Sequence, residues 1–232
     1  ASEGTFHQRH IHADEVSGKF YDLDCLYSAT SVKTNQRVSG LITGDTHAEF
    51  VDDDVLAATY LNHDSICSVL KPEYSVVHDV EDFYRRNHHH RGDPFLAYGK
   101  HHLGRDNVEE GLQVTADFLN LVSDPSRVTL VTKANHDEAF DRWLRECDPI
   151  KDPENAKFYH YMMYHMYDNM KMTDTGFSTV DPFVFWCNNP DERKGLNADS
   201  NVRFLKRDES FAIEGIEIGF HGDKGPNGSR GS

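Results

Sequence analysis

Paired cysteines, long apolar runs and excess positive charge are all scarce in this 232-residue chain. The four cysteines (Cys25, Cys67, Cys147 and Cys187) lie far apart, so neither a Cys-x-x-Cys metal site nor a disulfide framework is expected. They are expected to be free thiols in a reducing compartment. No apolar run reaches the length of a membrane span, and the N-terminus lacks a signal pattern. The sequence therefore predicts a cytoplasmic protein with no membrane partner.

The charge balance is strongly acidic. The chain has 39 Asp and Glu against 24 Lys and Arg, for a formal net charge of -15, and it also contains 15 histidines. Such a field repels nucleic acid over most of the surface. A polyanionic substrate would therefore need local attraction, from metal ions or from a small basic patch.

A β-favouring run from Arg37 ends in Gly44, with Asp45 and His47 directly after it. Residues two apart on an extended segment project to the same side, so the carboxylate and the imidazole are expected to meet. Gly44 permits a sharp turn at the strand end. An oxygen ligand beside an imidazole suits divalent manganese, iron or zinc.

The same design recurs further along the chain. A predicted helix over 55–70 separates the first strand from a second, 74–78, which is followed by Asp79. Two strands joined by a helix form a parallel βαβ unit, whose ligands bind beyond the carboxyl ends of the strands. Asp45 and Asp79 are therefore expected to be neighbours on one edge of a sheet.

Two later strands also end in polar residues. The strand 128–133 precedes Asn135, His136 and Asp137, and a strand beginning at Ile216 ends at His221. An Asn oxygen can coordinate a metal, a histidine can act as a general acid, and a neighbouring carboxylate can hold that histidine in place. These residues extend the predicted site.

Several charged segments offer candidate substrate contacts. We expect the segment 80–105 to be a loop, and loops after strand ends often carry function. Its candidates, together with those of the glycine-rich tail, are Arg85, Arg86, His88, His89, His90, Arg91, Lys224 and Arg230. The alternatives are a solvated turn for the histidines and a disordered end for the tail.

Two further segments have less specific patterns. Residues 1–36 contain short β-like runs separated by glycines, which predicts a β-rich N-terminal extension. A helix predicted from Pro153 to about Met172 is dense in Tyr and Met. Core packing or a contact between copies of the chain is the expected role of this helix, and base stacking is the alternative.

Together, these strand ends resemble the motifs of the calcineurin-like metallophosphoesterases, and the longer stretches resemble a phage-encoded branch of that family. The resemblance implies an α/β fold in which a β-sandwich is flanked by helices in four layers, over residues 37–232. It implies that Asp45 and His47 hold a first metal and that Asp79 bridges two metals. Asn135 and His221 would hold the second, with His136 as the catalytic histidine and Asp137 behind it.

The chain departs from the family pattern in two respects. His78 and Ala134 stand where the family usually has glycine, although the ligand positions are kept. More seriously, no Gly-His-x-His motif occurs before Ser232, and that motif supplies one ligand to each metal in the family. We therefore expect the last strands of the sandwich and the missing histidines to lie downstream in a longer natural protein.

The functional expectation that follows is a phosphoesterase with two divalent ions, manganese first, and with iron, zinc, magnesium or nickel as alternatives. The favoured substrate is DNA, cleaved as a phosphodiester in the cytoplasm of a phage's host. One alternative is a phosphomonoesterase for small phosphates or phosphoproteins, which the acidity favours. Another is a non-catalytic assembly module that retains the fold. A homo-oligomer is compatible with all three.

Overall fold

Helices alternate with short strands along most of the chain. The computed structural model describes residues 10–90, 92–188 and 194–220, except for the side chain of His89. The strands, numbered in chain order, are β1 (Phe20–Asp22), β2 (Cys25–Tyr27), β3 (Val32–Lys33), β4 (Gly40–Asp45), β5 (Tyr74–His78), β6 (Val128–Thr132), β7 (Lys171–Thr173), β8 (Gly176–Ser178), β9 (Val202–Phe204), β10 (Ala212–Ile213) and β11 (Ile216–Glu217). The α-helices are α1 (Asp53–Leu56), α2 (Ile66–Leu70), α3 (Pro94–His102), α4 (Val108–Val122), α5 (Ala139–Glu146), α6 (Ala156–Asp168) and α7 (Pro182–Cys187).

The central sheet has four parallel strands in the order β4-β5-β6-β9. Its inner strands are apolar on both sides: Val76 and Val77 of β5, and Leu130 and Val131 of β6, are all buried. This pattern is typical of a parallel sheet that is covered on both faces. The predicted βαβ arrangement is confirmed, and the carboxyl ends of β4, β5 and β6 lie along one edge.

The two faces of the sheet are covered differently. Val77 and Val131 pack against α4, α5, α6 and α7 in the larger core. Val76 and Leu130 face the other way, toward Ile213 and Ile218 beside the β10–β11 hairpin. The α/β class is therefore confirmed. Within the described residues, the second face carries this two-stranded hairpin rather than the full second sheet of a sandwich.

Four sequence predictions about individual elements were wrong in detail. The helix predicted over 55–70 is divided into α1, a π-helical turn (Ala57–Leu61) and α2. The segment predicted as a loop contains α3, which begins with an Asp93 cap and Pro94. The Tyr- and Met-rich helix ends at Asp168, and Met172 lies in the exposed hairpin β7–β8. The strand predicted from Ile216 ends at Glu217 and pairs only with β10 among the described strands.

The N-terminal part forms its own small sheet. β1, β2 and β3 pair antiparallel in that order, as short β-like runs separated by glycines predict. A domain boundary at residue 36 stays a prediction. Among the described helices, none is both long and apolar enough to cross a bilayer.

A buried carboxyl group fixes the chain directly after β5. Glu81 is 1% exposed; its Oε1 accepts a hydrogen bond from the Phe83 N–H (2.6 Å) and its Oε2 accepts one from the Thr115 hydroxyl of α4 (2.6 Å). Burial raises the pKa of Glu81 to about 8. The protonated form is therefore favoured in the folded protein up to mildly alkaline pH.

Replacing Glu81 by Gln tests this assignment. The folded-state pKa lies above the unfolded value, so the stability from this group is complete below the unfolded pKa of about 4.5 and is lost as pH rises through about 8. Glu81→Gln cannot ionise, and we expect its free energy of unfolding at pH 9 to exceed that of the wild type by roughly 5 kcal/mol, since the rise from 4.5 to about 8 is about 3.5 pKa units at about 1.4 kcal/mol each. Urea unfolding at pH 5 and pH 9 measures the difference. An unchanged pH dependence in the variant would contradict the assignment.

Candidate metal centre

Backbone pairing between β4 and β5 continues beyond the ends of the strands. The N–H groups of Thr46, His47 and Ala48 donate to the carbonyls of His78 (2.9 Å), Asp79 (2.8 Å) and Val80 (3.1 Å), respectively. Within β4, the register with β5 shifts between Ile42 and Asp45, as at a β-bulge. The two polar loops therefore leave the sheet side by side, at a fixed offset.

Both loops turn through left-handed backbone conformations. His47 has φ 46° and Asp79 has φ 43°. Asp, Asn and His adopt this region more readily than other non-glycine residues, and such conformations concentrate at functional sites. The predicted strand alternation is therefore not what brings Asp45 and His47 together, because His47 lies beyond the strand and is turned by its own φ.

Asp45, His47 and Asp79 form a first group of metal-ligand type. One potential ligand atom from each lies within 4.8 Å of the others, with Asp45 exposed, His47 half-buried and Asp79 2% exposed. Two carboxylates and an imidazole suit a divalent ion of the manganese, iron or zinc type. The predicted convergence of these three residues is therefore present in the structure.

A second group shares His47 and adds Asp82 and His136, again within 4.8 Å. Asp82 Oδ1 lies 3.0 Å from His47 Nδ1 and 3.4 Å from His136 Nδ1. The two imidazole rings meet edge to face with centroids 5.1 Å apart. Sequence reasoning missed Asp82. The signal in the sequence was its spacing, three residues after Asp79 in the segment that follows β5.

Asp82 sets the electrostatics of His136. The contact with Asp82 is the largest influence on the imidazole and raises the pKa of His136 above its usual value, while partial burial opposes the rise. In turn, the contact with His136 is the largest influence that lowers the pKa of Asp82. The pair therefore favours a charged imidazolium beside a charged carboxylate.

Asp137 binds backbone N–H groups of two loops. Its carboxylate accepts hydrogen bonds from the backbone N–H groups of Glu81 (3.0 Å) and Ala134 (2.8 Å). Burial raises the pKa of Asp137 to about 7. Asp137 therefore joins the loop after β5 to the loop after β6, while Asp82 is the carboxylate at the His136 ring nitrogen. The charge of Asp137 also contributes to the raised pKa of His136, after the larger influence of Asp82. Its predicted role behind the catalytic histidine stays a prediction.

Asn135 and His221 are the predicted metal ligands that do not belong to the first group. Asn135 is exposed directly beyond β6, beside His136, at the edge that carries the first group. His221 lies outside the described residues, as do Arg91, Lys224 and Arg230, and the His89 side chain is likewise not described. The expected second metal position of Asn135 and His221 therefore stays a prediction.

Arg85, predicted to contact substrate, binds two acidic side chains of the protein. Its Nε lies 2.8 Å from Glu49, just after His47, and its Nη1 lies 3.1 Å from Glu110 of α4. Both Arg85 and Glu49 are about nine-tenths buried at their side chains. A Cβ at Gly111 would meet Arg85 Cδ at 2.9 Å, so glycine is needed inside this helix to admit the arginine. Arg85 thus links the His47 loop to the scaffold.

Three other residues that were predicted to contact substrate also have partners within the protein. Arg86 makes a two-pronged contact with Asp152, at 2.8 Å for both nitrogens. His88 Nε2 lies 2.7 Å from Arg142 Nη1, and His90 Nδ1 lies 2.9 Å from Lys100 Nζ. Lys100 is 5% exposed, and burial lowers its pKa to about 8. Sequence reasoning gave no role to Lys100, which lies on a helix that was not predicted.

A cleft of about 440 Å³ opens beside this segment, and its lining includes Arg86, His90, Lys100, Trp143 and Asp152. Its size is in the range of small-molecule sites. The mixed charges of the lining are used in internal pairs, so the cleft is polar but carries no large excess of either sign.

The fold and the site define an α/β protein with a carboxylate–histidine cluster at the carboxyl edge of a parallel sheet. The chain is similar to Protein A1 of Escherichia phage T5, at 37% identity over 235 residues that include 99% of this chain. It spans 41% of the length of that protein. No described family pattern matches the chain, and no solved structure matches it. The phage origin of the relative agrees with the phage-encoded branch that the sequence resembles.

Replacing Asp82 by Asn tests the coupling across the second group. Loss of the carboxylate charge is expected to lower the pKa of His136 in metal-free protein, because the contact with Asp82 is the largest influence that raises it. Titration of the histidine ring protons by NMR, in a chelator, measures the change. Asp141→Asn, on α5, is the matched control and should leave His136 unaltered. An unshifted His136 in Asp82→Asn would contradict the assigned contact.

Proposed function

We propose that this chain is the metal-binding part of a phosphodiesterase that cleaves DNA with two divalent cations. The observation that carries the proposal is the group Asp45–His47–Asp79 at one edge of the sheet, with Asp82 and His136 directly beside it. The family resemblance of the motifs and the similarity to a phage protein support it. The four-layer sandwich of the metallophosphoesterases is part of the same proposal.

The donor set suits the cations that the resemblance implies. Asp45, His47 and Asp79 would hold the first ion, and Asp79 would be shared with a second ion that Asn135 and His221 complete. A shared position calls for a carboxylate, because two cations repel each other unless an anion lies between them. Manganese fits this mixed oxygen and nitrogen set, with iron, zinc, magnesium and nickel as alternatives. Bound cations would acidify an attacking water and neutralise the phosphoryl oxygens.

The protein's own contribution is a positioned acid. In the proposed reaction, water attacks phosphorus, the bond to the leaving oxygen breaks, and that oxygen takes a proton from His136. The proton that the water loses passes to solvent, from which His136 is protonated again. Asp82 supports this role because it raises the pKa of His136 and so favours the protonated imidazole. Asp82 acts through His136 and is therefore a positioning residue.

The surface charge favours a second candidate function. A net charge of -15 disfavours a long polyanion, and the arginines nearest the site are engaged in internal ion pairs. The alternative function is therefore that of a phosphomonoesterase for small phosphates or phosphoproteins. If the chain binds no metal, the favoured interpretation becomes a non-catalytic assembly module.

Location and partners follow from the same proposal. A phage-encoded DNase would act in the host cytoplasm, on DNA and without a membrane partner. A homo-oligomer is compatible with the exposed aromatic side chains of α6, Tyr164 and Tyr167.

Asp79→Asn is the sharpest test of the metal centre. Asparagine tolerates the left-handed backbone at this position, so the fold should persist while the shared carboxylate is lost. We expect loss of manganese by elemental analysis and a drop in phosphodiester hydrolysis of at least about a hundredfold. Asp141→Asn is the charge-matched control. Full metal content in Asp79→Asn would refute the shared-ligand role.

His136→Ala separates catalysis from metal binding. We expect full manganese content with a rate reduced by roughly 10²–10⁴, the usual contribution of a general acid. His63→Ala is a suitable control because that side chain is 97% exposed on the surface. Wild-type turnover in His136→Ala would sink the acid role, whereas lost manganese would make His136 a ligand.

The substrate class is tested by comparing bis(p-nitrophenyl) phosphate, p-nitrophenyl phosphate and duplex DNA with added manganese. The proposal predicts hydrolysis of the diester and of DNA well above that of the monoester. Preference for the monoester would instead establish the phosphomonoesterase.

A further inference from the structure

A second polar cavity lies at the opposite edge of the sheet, where the parallel strands begin. Three cations line it, and each precedes a strand of the central sheet: Arg37 before β4, Lys71 before β5 and Arg127 before β6. The cavity has a volume of about 430 Å³, in the range of small-ligand sites. Because a five-residue strand is roughly 16 Å long, this cavity is separate from the candidate metal centre.

The charge of this cavity is opposite to that of the whole protein. Its lining contains Arg37, Lys71 and Arg127 against one carboxylate, Asp124. Asp124 Oδ1 is engaged locally, accepting hydrogen bonds from the Ser126 N–H (2.8 Å) and the Ser126 hydroxyl (2.7 Å). Within the described part of the chain, none of the three cations forms an ion pair with a carboxylate. The cavity therefore has a local positive excess in an acidic protein.

Arg127 is the buried member of this set. It is 9% exposed, and its Nη2 donates to the Val122 carbonyl at 2.6 Å. Its Nε is buried and has no hydrogen-bond partner among the described residues. A buried donor without a partner is costly, and a guanidinium accommodates phosphate oxygens especially well. Arg37 is held nearby by the carbonyls of Pro72 (3.3 Å) and Ser126 (2.8 Å).

The competing explanation is purely structural. Lys71 follows the last residue of α2, and Arg127 donates to the last residue of α4, so both cations also complement the negative ends of helices. The guanidinium carbon of Arg127 also lies 6.0 Å from the centroid of the Tyr60 ring, a weak structural contact. These roles leave the Nε of Arg127 without a hydrogen bond and do not involve Arg37. The cavity between the three cations is the feature that they leave unexplained.

We propose that this cavity binds a phosphate group through Arg37, Lys71 and Arg127. The same chemistry is offered by a small phosphate ester, such as a nucleoside monophosphate, and by the backbone of a nucleic acid. The site is independent of the metal centre, so its binding does not require the proposed hydrolytic activity.

The test is calorimetric titration of the 232-residue chain, in a chelator and at fixed ionic strength, with inorganic phosphate, AMP and a short oligonucleotide. We expect saturable binding of phosphate and AMP if the ligand is small, or of the oligonucleotide alone if it is a nucleic acid. Either result supports phosphate recognition. No binding of any of the three, relative to chloride, would overturn the proposal and leave the cations as helix-end charges.

Lys71→Asn locates the binding. Lys71 has φ 46°, a conformation that asparagine adopts more readily than lysine, so lost stability cannot explain lost affinity. We expect affinity to fall about tenfold or more, and Arg127→Gln to reduce it further. Lys33→Asn, an exposed lysine on β3, is the charge-matched control. Equal losses in Lys33→Asn and Lys71→Asn would overturn the site. Retained binding in Asp79→Asn separates it from the metal centre.

Discussion

Three backbone hydrogen bonds beyond the ends of β4 and β5 hold the candidate centre together. They fix His47 against Asp79 before any side chain is considered. The buried ion pair of Arg85 and Glu49, and the carboxylate of Asp137 on two backbone N–H groups, then fasten the same loops to α4 and to β6. Ligand groups so held lose little freedom when a cation binds, which favours affinity. Arg85, which was predicted to contact substrate, is used for this preorganisation.

The sequence was sufficient to predict the sheet and the edge at which the polar residues meet. Strand-length apolar runs, each followed by Asp or His, specify β4, β5 and β6 without tertiary information. Asp82 and Lys100 could not be assigned in this way, because their roles depend on 3₁₀ and α-helical turns within 80–105. The division of the predicted 55–70 helix and the early end of α6 likewise depend on local packing that periodicity does not encode. Asp137 shows this limit of sequence analysis most clearly, because the sequence identified the residue but not the backbone N–H groups that it binds.

The acidity of the chain takes on a specific meaning beside the two edges of the sheet. One edge concentrates carboxylates and imidazoles where cations would bind, and the other concentrates Arg37, Lys71 and Arg127. If cations occupy the first edge, as proposed, a ligand with phosphate groups would meet attraction at both edges and repulsion over most of the remaining surface. The distribution of charge therefore limits the positions at which a phosphate can bind. It does not prevent binding, even though the net charge is negative.

The left-handed backbone at His47 and Asp79 has a consequence for how the site can change. At these positions the conformation selects Asp, Asn, His or Gly, and cation binding selects carboxylate or imidazole. Glutamate would supply the charge but fits the backbone poorly, while glycine would fit the backbone and supply no ligand. The two demands overlap in very few amino acids, so variation within such a centre should be concentrated at Asp45, which lies in extended structure and whose geometry allows more alternatives.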